Sequence, residues 1–299
     1  MTTQMDAIKI GNTQVLRNPR LDPIDDKQLK AFAPAIFAKG GMPGVSEKYG
    51  FVNTKTIIDA MRDSKFDVVE VRQSQRRDVS RMPFTKHMIK FRPSGLIGKV
   101  KRGDVVPQVM MLNSHDRSSG FHLYAALYRL ICDNGMIVSD GAEVTPVKVM
   151  HTARMVENVI DRSNELIKCI DGVYRLRTDM VNTSMTTKAA LAFARQAMTF
   201  RPPRAAVLAP ENLLIPRRKE DEALIGSLWG TFNIVQENML RGGNETTTED
   251  GRVVMTRGIG RIERDVQINA GLWSLAVQTI AKAQISAKKA SRKTAEVDI

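Results

Sequence analysis

Cysteine, histidine and aromatic residues are scarce in this 299-residue sequence, and their scarcity narrows the classes of protein it can encode. Cys132 and Cys169 are the only cysteines, too few for a disulfide framework or a zinc knuckle. The four histidines lie apart in the sequence and show no HExxH spacing. We therefore expect no metal and no cofactor. Because aromatic residues make up only 5% of the chain, we also expect no open base-stacking platform of the kind that binds single strands.

Several motifs that define common enzymes and membrane proteins are also missing. The sequence contains no GxxxxGK[ST] loop and no GxGxxG after a strand, so nothing supports nucleotide hydrolysis. No apolar run approaches the roughly 18 residues of a membrane span. The first residues lack the basic and then apolar order of a signal peptide. These absences predict a cytoplasmic protein, in the host cytoplasm if the gene belongs to a phage, with no membrane partner.

Positive charge is present in excess. Lys and Arg outnumber Asp and Glu by 45 to 32, a net charge of +13. Between Arg72 and Arg102 there are ten cations and one acid, Asp78. This density favours a polyanion site that contacts phosphate and reads little sequence. The predicted site contains Arg72, Arg76, Arg77, Arg81, Lys86, Lys90, Arg92, Lys99, Lys101 and Arg102.

Alternation along residues 84–93 sharpens this prediction. In a strand, Lys86, Lys90 and Arg92 share one face, and the apolar residues Ile89 and Phe91 share the other. A basic sheet face backed by an apolar one is the expected result, although basic side chains can also protect a strand edge from aggregation.

A second and weaker basic set lies near residue 260. It includes Arg257 and Arg261, and the neighbouring Gly258 and Gly260 would let backbone approach a ligand closely.

The order of the elements predicts an α+β fold with an antiparallel sheet of about four strands packed against a long helix. The strands are predicted at 66–75, 84–93, 104–112 and 121–131, although the last segment also has helical spacing. Helices follow, among them 187–198, one that Gly242 ends, and one at about 265–281. The predicted divisions are an N-terminal arm (1–48), an α+β core (49–200) and a C-terminal helical region with a basic tail (201–299).

The segment "LNSHDRSSG" places the three residue types of a hydrolytic triad side by side. Ser114, His115 and Asp116 are consecutive, so in an extended chain they point to opposite faces and cannot form the hydrogen-bonded relay of a triad. The favoured interpretation is a turn in which Asn113, Ser114 and Asp116 cap their own backbone. A functional alternative is that this motif, with Arg117, holds a phosphate. An enzymatic alternative would need a partner such as His151 and a metal.

The motifs Asn113 to Asp116, Arg129, "CDNG" at 132–135 and "HT" at 151–152 occur in the order typical of one family. With the C-terminal "LWGTFNIVQENMLRGG" and "INAGLWSLA", the chain resembles the phage and plasmid family known as domain of unknown function 932. The similarity covers most of the chain after about residue 50. A basic sheet followed by a long helix is also similar to single-strand annealing proteins, which assemble into rings or filaments. That similarity implies an oligomer that binds single-stranded DNA.

Three functions remain open at this point. The leading hypothesis is a non-enzymatic, sequence-tolerant DNA-binding protein of a phage or plasmid, an oligomeric factor for single-strand annealing or recombination. The second is a metal-dependent nuclease or other hydrolase that uses His115 and Asp116. The third is a regulatory protein whose positive charge meets an acidic protein partner.

Overall fold

The chain folds into two compact units, each built from segments that are far apart in the sequence. Unit 1 contains Met1–Val138, Thr145–Ile170 and Ile259–Val266, and unit 2 contains Ser139–Val144, Asp171–Gly258 and Gln267–Ile299. The predicted boundary at 48/49 falls inside unit 1, and the boundary at 200/201 falls inside unit 2. The computed structural model describes residues 6–17, 22–45, 50–96, 104–129, 135–139, 147–148, 155–201, 206–248 and 250–297.

Unit 1 is built on an eight-stranded sheet in which every neighbouring pair of strands is antiparallel. Seven strands follow one another in chain order across the sheet, and the eighth pairs with the sixth. The strands are β1 (Asp6–Ile10), β2 (Thr13–Arg17), β3 (Phe66–Ser74), β4 (His87–Pro93), β5 (Val105–Asn113), β6 (His122–Arg129), β7 (Gly135–Ile137) and β8 (Val147–Lys148).

The predicted α+β class is confirmed, but the predicted number of strands is too low. The four predicted strands are β3 to β6, and the ambiguous apolar run after residue 121 is a strand. Residues 6–17, which lie in the predicted N-terminal arm, form the hairpin of β1 and β2 around Gly11, which has a φ of 60°. Strands β7 and β8 contain three and two residues, too few to show a period in the sequence.

Helices cover the apolar face of this sheet. They are α1 (Asp26–Phe32), α2 (Thr54–Asp63) and α3 (Met155–Lys168). Their apolar side chains, among them Leu29, Ile58 and Val159, form one core with the strand residues Val71, Ile89 and others. The Asn53 side chain caps the start of α2, since it accepts a hydrogen bond from the backbone N–H of Thr56.

Unit 2 is mainly helical, with a small three-stranded sheet. Its last helix, α8, begins in unit 1 and continues into unit 2 at Gln267. Gly242, with a φ of 68°, ends α7 as predicted. The elements are α4 (Ile170–Asn182), α5 (Thr187–Met198), β9 (Ala206–Val207), α6 (Lys219–Glu222), α7 (Leu228–Arg241), β10 (Glu245–Thr248), β11 (Val253–Met255) and α8 (Ile262–Val297).

Among the described helices, none has both the length and the apolar character that crossing a bilayer requires.

Candidate functional site

The cations predicted for the strands do share one face of the sheet, but that face is buried. Glu70 pairs with Lys90 and Arg72 pairs with Met88 across β3 and β4, so their side chains point the same way. Lys90 is 3% exposed and Arg92 is fully buried. The prediction of an open basic face is therefore wrong, because these side chains form a buried polar layer. Alternation along a strand shows which residues share a face, but it does not show whether other elements cover that face.

Glu70 lies at the centre of this layer. Its carboxylate is 3.0 Å from Lys90 Nζ and 2.7 Å from Arg72 Nε, and Arg17 approaches it to 3.8 Å. Burial raises the pKa of Glu70, but the charges of Lys90, Arg72 and Arg17 outweigh burial and hold it well below its usual range. These cations therefore compensate a buried carboxylate.

The start of α8 supplies further acids to the same layer. Arg72 NH1 donates to Asp265 at 2.5 Å, and Lys86 forms an ion pair with Glu263. Burial lowers the pKa of Arg92, and Asp67 and Asp22 partly offset that effect. Four of the predicted phosphate ligands, Arg72, Lys86, Lys90 and Arg92, thus lie inside unit 1 beside carboxylates.

The other described cations of unit 1 in the predicted site remain exposed and lie on loops. The connections 11–12, 75–86 and 114–121 all lie at the same end of the strands, and we call this end of the sheet the loop end. There the backbone N–H of His115 donates to Phe84 O at 2.9 Å, and that of Gln75 donates to Asn12 O at 2.7 Å. The exposed cations here, the arginine rim, are Arg76, Arg77, Arg81, Arg117 and Arg261.

Two carboxylates accompany the arginine rim without neutralising it. Arg76 NH2 lies 3.6 Å from Asp116, and Arg81 Nε lies 3.4 Å from Asp78. The arginines of both pairs are more than half exposed, so each pair contributes little free energy. Five exposed arginines against two carboxylates leave the loop end with excess positive charge.

Gly260 places Arg261 at this end of the sheet. A Cβ on Gly260 would lie 2.4 Å from Ile10 O and 2.9 Å from Gly11 Cα, so only glycine fits against the β1–β2 turn. The two glycines were predicted to allow close approach to a ligand. In the structure Gly260 contacts the protein's own backbone, and the backbone at Arg257 and Gly258 packs on Gly242 in unit 2.

The segment from Asn113 to Ser119 is a hydrogen-bonded turn, as predicted. Ser114 Oγ accepts from the backbone N–H of Ser119 and donates to Ser119 O, both at 2.9 Å. Asp116 accepts from both the backbone N–H and the hydroxyl of Ser118. Burial raises the pKa of Asp116, but the bonds from Ser118 and the charge of Arg76 hold it below its ordinary value. This turn keeps Asp116 ionised beside the rim.

His115 points away from the rim into a buried cluster with His87, Thr54 and Asn113. The two histidine rings lie 5.1 Å apart. His87 Nδ1 donates to Thr85 O at 3.0 Å, since a carbonyl can only accept, which leaves Nε2 to accept from the Thr54 hydroxyl at 2.9 Å. Asn113 Nδ2 donates to Thr54 Oγ1 at 3.0 Å. The cluster fastens the start of α2 to β4 and β5.

Both histidines are neutral near pH 7. Burial and the neighbouring His115 lower the pKa of His87 from 6.5 to about 3. Burial likewise lowers the pKa of His115 from 6.5 to about 4. This pair could not be predicted from the sequence, because the register of His87 with Asn113 across β4 and β5 is what brings the two rings together.

No catalytic arrangement involves His115 among the described residues. Ser114 Oγ bonds to the backbone of its own turn, and His115 has no accessible surface. The described residues also contain no group of three or more His, Cys, Asp or Glu placed to hold a metal ion. His151, Lys99, Lys101 and Arg102, which the sequence analysis also named, lie outside the described residues.

These elements make the chain an α+β protein whose polar groups lie in a buried charge layer and at the loop end of the sheet. The chain is a member of the family described as "Domain of unknown function (DUF932)", whose model matches residues 43–273. The resemblance noted in the sequence motifs is therefore confirmed.

Two curated relatives extend the similarity to nearly the whole chain. The UPF0380 protein YafZ of Escherichia coli (strain K12) is 30% identical over 279 residues, which cover 93% of this chain and 98% of YafZ. The UPF0380 protein YfjQ of the same strain is 29% identical over 279 residues, with the same coverage. No solved structure matches.

Proposed function

We propose that this protein binds single-stranded DNA with little sequence preference, as an annealing or recombination factor of a phage or plasmid. The observation that carries the proposal is the arginine rim, five exposed arginines on the connections at one end of the sheet. Arginine suits phosphate because its guanidinium group forms paired hydrogen bonds with the phosphate oxygens. The strand cations contribute indirectly, since their buried ion pairs hold the loops in place.

Contacts of this kind predict a specific dependence on salt. Each phosphate that the rim neutralises releases counterions, so the affinity should fall with ionic strength by about 0.7 in logarithmic slope per contact on a single strand. Phosphates are the same in every DNA sequence, so a substitution in the arginine rim should change the affinity for all sequences by the same factor.

The test variant neutralises four of the five rim arginines, R76Q, R77Q, R81Q and R117Q, and a control variant removes the same charge elsewhere in unit 1. The control variant replaces Lys27, Lys30, Arg162 and Lys168, all exposed on or beside α1 and α3, with Gln. Binding of a labelled 40-nucleotide strand is titrated at several salt concentrations. The rim variant should lose roughly 2–3 of the slope, and the control should keep nearly all of it. Equal losses in both would refute a local site.

Annealing would also require assembly, and unit 2 has a surface suited to it. Strand β11 is an edge strand that pairs only with β10 among the described strands, and Val253 and Met255 on it are exposed. An open apolar edge favours pairing with another copy. We expect an oligomer larger than a dimer by light scattering, disrupted by Val253→Lys. A monomer at micromolar concentration, with and without DNA, would contradict annealing by a ring or filament.

The same assays separate the competing functions. A metal-dependent cleavage product that disappears with chelator would favour the hydrolase. Binding to acidic proteins with no affinity for DNA would favour the regulatory protein. Annealing that survives chelator would support the proposal.

A further inference from the structure

The final segment of α8 is a helix that packs on nothing among the described side chains. Burial along α8 ends at Ile280, which is 4% exposed, and every residue from 281 to 289 is exposed. The helix nevertheless continues to Val297. These 17 residues would extend roughly 25 Å at 1.5 Å per residue. The segment lies beyond residue 273, where the family match ends.

Positive charge is concentrated on one side of this segment. The sequence from 281 to 297 has five cations and one acid, Glu296. At 100° per residue the sequence positions of the five cations fall within an arc of about 140°. The opposite side carries small uncharged residues, mainly Ala, Ser and Thr. The cations are Lys282, Lys288, Lys289, Arg292 and Lys293.

The pattern excludes two common uses of an exposed helix. A coiled coil needs apolar residues repeating every three or four positions, and Ile285 is the only large apolar residue between 281 and 296. A helix that lies in a membrane surface needs a broad apolar face, which Ala and Ser do not supply. What remains is a rod with one basic side and no apolar stripe.

We propose that residues 281–297 form a basic helical arm that binds the phosphate backbone of nucleic acid. This inference rests on the proposed function, because it adds a second binding surface for the same kind of ligand. The cations would lie over about 16 Å of helix from position 282 to position 293, enough to meet two or three successive phosphates.

Phosphate would also stabilise the arm itself. Positions 288 and 292, and positions 289 and 293, place like charges one turn apart, which destabilises an isolated helix. No tertiary packing supports residues 281–289, although such packing supplies most of the stability of helices in proteins. A bound polyanion removes the repulsion, so DNA should increase the helical content of the full-length protein.

The experiment compares two variants of the full chain. The arm variant carries K282Q, K288Q, K289Q, R292Q and K293Q, and the control carries Q284A, S286A, S291A and T294A, at positions outside the basic arc. Both are titrated with the 40-nucleotide strand and followed by circular dichroism. The arm variant should bind at least tenfold more weakly at 0.1 M salt and lose roughly 1.4–2.1 of the salt slope, with no gain in helicity on binding. The control should behave as wild type.

The other possible results distinguish the inference about the arm from the proposal about the arginine rim. An arm variant with wild-type slope and wild-type helicity gain overturns the inference, while loss of slope in the rim variant alone leaves the proposed function standing. Conversely, loss in the arm variant with no loss in the rim variant supports the arm and refutes the rim. If the arm variant loses binding only to vesicles containing phosphatidylserine, the arm is a membrane-binding segment and the inference fails.

Discussion

Replacing Thr54 with Val tests whether the buried histidine cluster holds α2 on the sheet. The change keeps the shape of the side chain and removes only the hydroxyl. Asn113 Nδ2 then loses its 3.0 Å acceptor, and His87 Nε2 loses its 2.9 Å donor. A buried polar group without a partner costs about 1–3 kcal/mol, and a weaker 3.4 Å bond to Val52 O remains for Asn113. We expect a total loss of about 2–4 kcal/mol.

Hydrogen exchange of the α2 backbone measures this loss locally, which matters because a chain with two units need not unfold in one step. At 1.4 kcal/mol per factor of ten, protection of residues 57–61 should fall roughly 30-fold to 700-fold. The control is Thr56→Val, because Thr56 is an exposed residue in the first turn of the same helix. Its protection should change by less than about threefold. If Thr54→Val lowered protection no more than Thr56→Val does, the cluster would not fasten α2.

Three further predictions concern the stability of unit 1. Glu70→Gln leaves buried cations uncompensated and should cost about 3–5 kcal/mol in denaturant unfolding; a loss under 1 kcal/mol would contradict the ion-pair network. The unfolded chain takes up protons at His87 and His115 below about pH 6.5, whereas the folded chain does so only near pH 3 to 4. Stability should therefore be full above pH 6.5 and fall toward pH 4, less steeply in His115→Gln; equal slopes would argue against a neutral buried His115. Gly260→Ala should reduce hydrogen-exchange protection of β1 and β2, whereas Gly95→Ala, with open space around its Cβ position, should not.

Much of the secondary structure could be predicted from local pattern. The β-branched or alternating runs of β3 to β5 and the 3.6-residue period of α5 and α7 identify those elements, because each is long enough to show its period. The apolar run of β6 also fits a helical period, so its pattern alone does not identify it. The hairpin of β1 and β2 could not be predicted in this way. Its strands are short, and β2 joins the sheet by pairing with β3, more than fifty residues further along the chain, while β1 pairs with β2.

The candidate site was predictable only in part. The loop arginines Arg76, Arg77 and Arg81 stand in a polar segment, and their exposure follows from that context. The burial of Lys90 and Arg92 does not follow from their own strand. Glu70 lies just before the basic stretch, and Asp265 belongs to a helix near the other end of the sequence, so only the fold shows that these acids face the strand cations.

The assignment of residues 259–266 to unit 1 has a consequence for synthesis of the chain. Asp265 and Glu263 complete the buried charge layer, and Gly260 supports the first hairpin. A ribosome adds these residues only after all of the other unit 1 segments and most of unit 2. Domains generally fold as units while synthesis proceeds from the N-terminus. The buried charge layer of the sheet therefore gains Asp265 and Glu263 only after the ribosome has made most of unit 2, and a fragment that ends before residue 259 should not reach the native state of unit 1.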